Sequence, residues 1–466
     1  MDMTGPADRI ELFNLRSAPM RAFHMAWLAF FLCFFAWFGV APLMPIIREE
    51  LNLTKDQIAW CLIGSVSITI IARLIIGYVC DRLGPRKAYA ALLIVGAIPI
   101  MGIGLAHDFT SFLVLRTLIG VIGAGFVITQ YHTSVMFSSK AVGMANATTA
   151  GWGNFGGGAT QIAMPFMLSG CMMLGFSQAV GWRLCMVAVG LMCWLMAYAY
   201  YRLTQDLPDG VTIRKSSGGV GLFRVCRDPR VWVLFIAYAA CFGTELTMKN
   251  FLVLYYVDHF DVFRTMDTLT ATKYAGMLAA LFGGTNLFAR TLGAWLSDRF
   301  GARDQLAGRV RWLFFSLLGC GSALMVFSRM GTVPTAVAAM VFVSISTQMA
   351  CGATFGVVPF LNRKELGAVS GIVGAGGNLG AVAAGYLFKV QGVSWPNAIL
   401  FLGMAVTVCS FTSFGVTAFA PAARDESTLI GEQLAVLYRN GFERYDARSV
   451  KFLRVIQENL LKSFLW

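Results

Sequence analysis

Residues 77–87 read GYVCDRLGPRK, and residues 293–303 read GAWLSDRFGAR. In each stretch an apolar run closes on an Asp-Arg pair, followed by a glycine and further basic residues. The pairs Asp81-Arg82 and Asp298-Arg299 stand after the second and eighth of twelve apolar segments, each long enough for the roughly 20 residues that cross a bilayer as a helix. The segments are approximately 23–47, 57–80, 88–106, 111–137, 142–169, 181–201, 230–257, 271–297, 311–328, 333–360, 366–388 and 396–419. The long connection 202–229 divides six from six, so the two loops hold equivalent places in two halves. A parallel repeat of this kind is expected of a transporter whose halves rock around a central site.

Composition points the same way. Hydrophobic residues make up 57% of the 466 and charged ones 13%, outside the range of soluble domains. The eleven cysteines are scattered through apolar runs without metal-ligand spacing, so no disulfide framework and no metal or cofactor site is expected. A net charge of +13 could indicate a nucleic-acid partner, but the basic residues lie in short loops between apolar segments. With both termini cytoplasmic, 26 of the 37 Lys and Arg fall on the inner side and 7 on the outer, as the positive-inside rule requires. The expected organisation is a cytoplasmic N-tail (1–22), a six-helix half (23–201), a cytoplasmic linker (202–229), a second six-helix half (230–419) and a cytoplasmic C-tail (420–466). In that tail residues 450–466 are helix-periodic with basic flanks, which suggests a helix lying on the membrane surface.

Beyond those within three residues of a span end, four basic residues remain inside spans: Arg73, Arg116, Lys249 and Arg290. Each costs about 2.5–3.5 kcal/mol at mid-helix, so each needs a reason. Arg73 lies eight residues before Asp81 and Arg290 eight before Asp298. At 1.5 Å per residue both sit about 12 Å from the inner helix end, near the midplane. Two guanidinium groups at one depth in equivalent helices suit a planar oxyanion, because the charge persists in a dry site and the fork gives paired hydrogen bonds. The structural alternative is pairing with a backbone carbonyl or with a buried carboxylate, for which Glu245 is the main candidate. Arg116, near the outer end of its span, is expected to snorkel to water.

The fifth span contains GWGNFGGG (151–158), whose G-x-G-x-x-G spacing mimics a dinucleotide loop. Such a loop needs a preceding strand and a helix start in water, and here the context is continuous apolar helix. The eleventh span carries a partner, VGAGGNLGA (373–381), and Asn154 and Asn378 both fall twelve residues from the inner start of their spans. Gly151, Gly153, Gly156, Gly157, Gly374, Gly376 and Gly377 are expected to let backbones approach and slide. Asn154 is expected to face the substrate route, and Asn378 either the same route or a neighbouring helix.

The loops at 81 and 298 resemble the repeated loop of the major facilitator superfamily, an all-α membrane fold of twelve helices in two pseudo-symmetric halves. The glycine segments resemble the twin nitrate signatures of the nitrate/nitrite porter family. Residues 45–55 (PIIREELNLTK), 205–210 (QDLPDG) and 350–359 (ACGATFGVVP) are similar to the high-affinity nitrate transporters of plants, algae and fungi, over about residues 20–420. The resemblance implies that Arg73 and Arg290 clamp nitrate, that Asn154 and Tyr238 add hydrogen bonds, and that Phe126 and Phe355 sandwich the flat ion. It also implies proton-coupled uptake at the plasma membrane, with nitrite as a further substrate and a small single-span membrane partner in some relatives. Inward movement of a monovalent anion opposes an inside-negative potential by about 2.3 kcal/mol per 100 mV, which carrying more than one proton would reverse. Glu245 and His132 are the titratable candidates for that coupling. For Glu245 the favoured reading is a structural pair with Lys249 one turn on, and Lys249 departs from the family, which carries an acid there. The competing readings are nitrate/nitrite exchange, transport of another anion, and a sensor that binds without transport. No nucleophile, metal set or cofactor loop supports an enzyme.

Overall fold

The computed structural model describes residues 5–138, 141–209, 225–361, 366–390 and 392–419. The middle of the expected linker, the expected C-tail and its surface helix at 450–466 lie outside the described residues. Among the described residues the fold is helical apart from a bridge between Ala7 and Phe137.

In the first half, α1 is Ala18–Leu51 with a break at the 3-10 turn Ala41–Leu43, α2 is Lys55–Leu83 and α3 is Pro85–Leu105. Then α4 is Phe109–Met136, α5 is Val142–Asn154 continued by Gly156–Met173, and α6 is Gln178–Leu203. In the second half, α7 is Pro229–His259 and the run Thr268–Phe327 contains α8 and α9. The remaining helices are α10, Val333–Phe360, α11, Leu366–Lys389, and α12, Trp395–Ala418. At 1.5 Å per residue a 60-residue run would extend about 90 Å, three bilayer cores. It turns at Asp304 (φ −128°, ψ 27°) and Gln305 (φ 44°, ψ −119°), which separates α8 from α9. Ten runs are long and apolar enough to cross a membrane. Dividing the longest and adding the glycine-rich α5 gives the twelve read from the sequence.

The chain's own caps set many of the helix starts. The Thr54 hydroxyl accepts from Gln57 N–H and the Gln57 side chain from Thr54 N–H, opening α2. At α8 the cap is one-way: the Asp267 carboxylate accepts the Thr270 N–H, which holds that carboxyl below the usual range. The first helix begins at Ala18, five residues earlier than the apolar run suggests, because Pro19 is favoured in a first turn.

Burial separates a centre from a periphery. Of the most apolar windows, 94% of α1 and 78% of α7 are buried against 39% of α6 and α12, so α1 and α7 form the middle of the bundle. The glycine segments are where helices touch backbone to backbone. A Cβ on Gly158 of α5 would lie 2.6 Å from Gly283 Cα of α8, and one on Gly151 would lie 2.7 Å from Asn286 O. Gly153 and Gly156 admit Phe30 and Phe31 of α1, while Gly376 and Gly377 of α11 admit Phe235 and Phe242 of α7. These are contact points, as the small-residue reading of both segments requires.

Two motifs separate in sequence form one junction. Gly84, at φ +80°, closes α2, and a Cβ there would stand 2.5 Å from Asp206 Oδ1. That carboxylate accepts the Arg86 N–H at 2.9 Å, so Asp206 packs on the α2–α3 turn and only glycine fits beneath it. Arg82 lies over Tyr78 and Arg299 over Trp295, the aromatic one turn back in each half. Asp298 pairs with Arg309 of α9.

At the end of the bundle opposite the N-terminus, side chains join the halves. Arg48 pairs with Asp258 at 2.8 Å, and Trp395 Nε1 donates to the same carboxylate at 3.3 Å. Lys55 donates to Val393 O at 2.6 Å and Thr268 to Glu49 at 2.9 Å. Partly exposed pairs of this kind are worth at most about 1 kcal/mol each. Asp258→Asn should therefore speed hydrogen–deuterium exchange of residues 258–268 by about two- to fivefold. Unchanged exchange would mean that the latch carries no weight.

Candidate functional site

On α7, Tyr238, Phe242, Glu245 and Lys249 follow one another at intervals of four, three and four, which places them on one helical stripe. All four are buried. The Tyr238 and Phe242 rings stack at 5.0 Å with an interplanar angle of 10°. Phe355 of α10 meets Tyr238 edge-on at 5.1 Å and lies 6.0 Å from Phe126 of α4. The aromatic residues named from the resemblance are thus neighbours, and Phe242, which the sequence reading missed, completes the group. Its position one turn beyond Tyr238 was the available signal.

The two arginines converge on this group from opposite halves. The Arg73 guanidinium lies 5.3 Å from the Phe126 ring and 5.9 Å from Phe242, and that of Arg290 lies 5.7 Å from Phe242. Phe242 is shared by both. Their satisfaction differs sharply. Arg73 donates from NH1 to Gly374 O at 2.7 Å, and its Nε and NH2 have no hydrogen-bond partner among the described residues. Gly374 allows this contact, since a Cβ there would already stand 3.4 Å from the arginine. Arg290 donates from NH2 to Glu245 Oε2 at 2.7 Å and from Nε to Gln348 Oε1 at 3.3 Å. Both structural partners weighed for the arginines are therefore present, a buried carboxylate on Arg290 and a backbone carbonyl on Arg73, but Arg73 still keeps Nε and NH2 without a partner among the described residues.

Glu245 is fully buried and bridges two cations. Its Oε1 accepts from Lys249 Nζ at 2.6 Å, and Lys249 also donates to Asn154 O at 3.0 Å. Removing one partner of such a buried set leaves an uncompensated charge, at a cost of about 3–5 kcal/mol. Tyr238 OH, Gln348 Nε2 and both amide atoms of Asn154 and Asn378 are buried without partners among the described residues. Buried donors are normally paired, so the free Nε and NH2 of Arg73 are chemically suited to an anion with several oxygens.

Two residues singled out in the sequence have partners of their own. Arg116 does not snorkel: it is 2% exposed, bonded to Trp37 O of α1, and donates to Asn250 Oδ1 of α7 at 2.9 Å. It ties three helices together, because a polar partner lay nearer than water. His132 is not brought to the arginines either. Its Nδ1 lies 2.5 Å from Tyr200 OH and its Nε2 2.8 Å from Gln205 O, so both ring nitrogens are engaged at the junction that holds Asp206. Among the described residues no cluster of His, Cys, Asp and Glu could hold a metal.

Comparison with known proteins adds to this geometry. A profile of the Major Facilitator Superfamily matches residues 26–385. The chain is 37% identical over 420 residues to the high affinity nitrate transporter 2.5 of Arabidopsis thaliana, covering 88% of this chain and 82% of that protein. It is 34% identical over 406 residues to nitrate transporter 2.1 of Chlamydomonas reinhardtii, covering 85% and 73%. It is 28% identical to the nitrate/nitrite transporter NrtP of Nostoc punctiforme, covering 90% and 97%. Among solved structures, a bacterial homologue of the lysosomal transporter Spinster in an inward-facing state superposes with a TM-score of 0.60 at 19% identity, covering 86% of this chain and 96% of that one. The nucleoside transporter NupG gives 0.61 at 12%, covering 85% and 99%. At such identities the likeness is one of fold.

Proposed function

Because this chain belongs to the Major Facilitator Superfamily and, within it, to the high-affinity nitrate transporter family of plants and algae, we propose that it imports nitrate with protons by alternating access. The superfamily consists of secondary transporters and not enzymes, so the free energy comes from gradients. The observation that carries the reading is Arg73, a buried guanidinium with Nε and NH2 unpartnered among the described residues, 5.3 Å from the Phe126 ring and 5.9 Å from Phe242. A flat, weakly hydrated anion fits it: two oxygens match the fork, and the ring faces exclude water.

In this reading Arg73 and Arg290 hold the anion from the two halves, with Tyr238, Asn154, Asn378 and Gln348 as further donors and Phe126, Phe242 and Phe355 as walls. The glycine contacts of α5 and α11 are the surfaces along which helices slide, and the Asp81-Arg82 and Asp298-Arg299 loops move with them. With both termini cytoplasmic, the Arg48–Asp258 latch closes the outer side. Nitrite is a second substrate in this proposal, supported by the name of the cyanobacterial relative.

The test is tracer nitrate uptake into proteoliposomes under an imposed pH gradient and membrane potential. Uptake should rise with an inward proton gradient and with an inside-negative potential. The second response means that more than one proton moves with each nitrate, since about 2.3 kcal/mol per charge per 100 mV would otherwise oppose entry. Insensitivity to both gradients would leave exchange as the mechanism.

A further inference from the structure

We propose that Glu245 is an internal counter-anion for Arg290, displaced when nitrate arrives, and that Lys249 retains the displaced carboxylate. This rests on the nitrate reading and adds to it the groups that set affinity and permit net transport. The Glu245 carboxylate divides its oxygens between two helices. Oε2 meets Arg290 NH2 of α8 at 2.7 Å, and Oε1 meets Lys249 Nζ of its own helix at 2.6 Å. The second contact spans one turn of α7 and survives any rigid movement of that helix. The first crosses between helices and can be exchanged. NH2 is an outer nitrogen of the guanidinium fork, the group a planar oxyanion takes in a paired contact, so carboxylate and substrate compete for it.

Lys249 is anchored independently of the carboxylate's second oxygen. It donates to Asn154 O at 3.0 Å and lies 5.3 Å from the Phe34 ring and 5.7 Å from Phe38. When Oε2 leaves Arg290, the displaced carboxylate keeps a full counter-charge and remains bound to Lys249. Glu245 and Lys249 cancel, which leaves two guanidinium charges for one monovalent anion. During the return step without substrate, the carboxylate compensates Arg290. A carrier with two bare buried arginines would return only with an anion bound, and would then exchange rather than accumulate.

The experiment compares net nitrate uptake with nitrate counterflow in proteoliposomes holding purified wild-type or variant protein that elutes as one species. Glu245→Gln should lower net uptake by about tenfold or more, and should lower it several-fold more than it lowers counterflow in the same vesicles. Lys249→Met leaves Glu245 bound to Arg290 alone, so KM should rise about tenfold in both modes, and Lys249→Arg should restore it. If Glu245→Gln fails to fold because Lys249 loses its counter-charge, the double variant Glu245→Gln/Lys249→Met removes both charges and should show counterflow without net uptake. Net uptake by a folded glutamine variant, equal loss of both modes, or an unchanged KM for Lys249→Met overturns the proposal. Wild type confined to exchange overturns it too. Wild type that moves no nitrate in either mode overturns the nitrate reading and this one with it, whereas active wild type with unaltered variants overturns this one alone.

Discussion

Arg73→Lys should lower kcat/KM for nitrate uptake by a factor of about a hundred or more, since charge-assisted hydrogen bonds are worth about 1.5–3 kcal/mol each and two are lost. Lysine keeps the charge and can still reach Gly374 O, so the backbone contact at 2.7 Å gives no reason for misfolding. What it lacks is the fork. Nε and NH2 are the atoms of Arg73 left without a partner, and an ammonium offers no second, coplanar donor in their place. Rings at 5.3 and 5.9 Å further favour a flat cation over a compact one. Michaelis curves in proteoliposomes, with folded protein quantified by gel filtration, provide the check. A kcat/KM within threefold of wild type would remove Arg73 from the anion site.

Gly158→Val should abolish transport by forcing α5 and α8 apart. The new Cβ would stand 2.6 Å from Gly283 Cα, with the rest of that backbone beside it, and neither helix has a flexible side chain to yield there. Overpacking of a tight core costs about 1–3 kcal/mol, and more where main chain meets main chain. Gly170→Val on the same helix is the control, because a Cβ at Gly170 meets nothing within 4 Å. Thermal unfolding of the detergent-solubilised protein should show a clear loss of Tm for the first and none for the second. Equal behaviour of the two would mean that the α5–α8 crossing tolerates separation.

The spans and their repeat were legible because hydropathy and helix rise are local properties. Counting residues from Asp81 and Asp298 placed Arg73 and Arg290 at one depth, and the two guanidinium groups do share the Phe242 ring. Partner choice was not legible. Glu245 could be assigned to Lys249 from spacing alone, but its bond to Arg290 spans 45 residues and depends on how α7 meets α8. Arg116 shows the same limit: its partners on α1 and α7 are 79 and 134 residues away, and only the approach of three helices makes them nearer than water. His132 drew attention as a titratable group in an apolar run. Its surroundings, Tyr200 and the Gln205 carbonyl, belong to the junction that also contains Gly84 and Asp206.

The spacing of Glu245 and Lys249 also bears on how such a chain is made. Helices enter a bilayer in order of synthesis, and α7 arrives before α8 exists. A carboxylate whose sole counter-charge lay on Arg290 would enter the lipid bare. A partner one turn away on the same helix is available from the moment that turn forms, so α7 crosses as a net neutral rod. Arg290, arriving later, finds its carboxylate already in place. The order of synthesis and the order of charge compensation coincide.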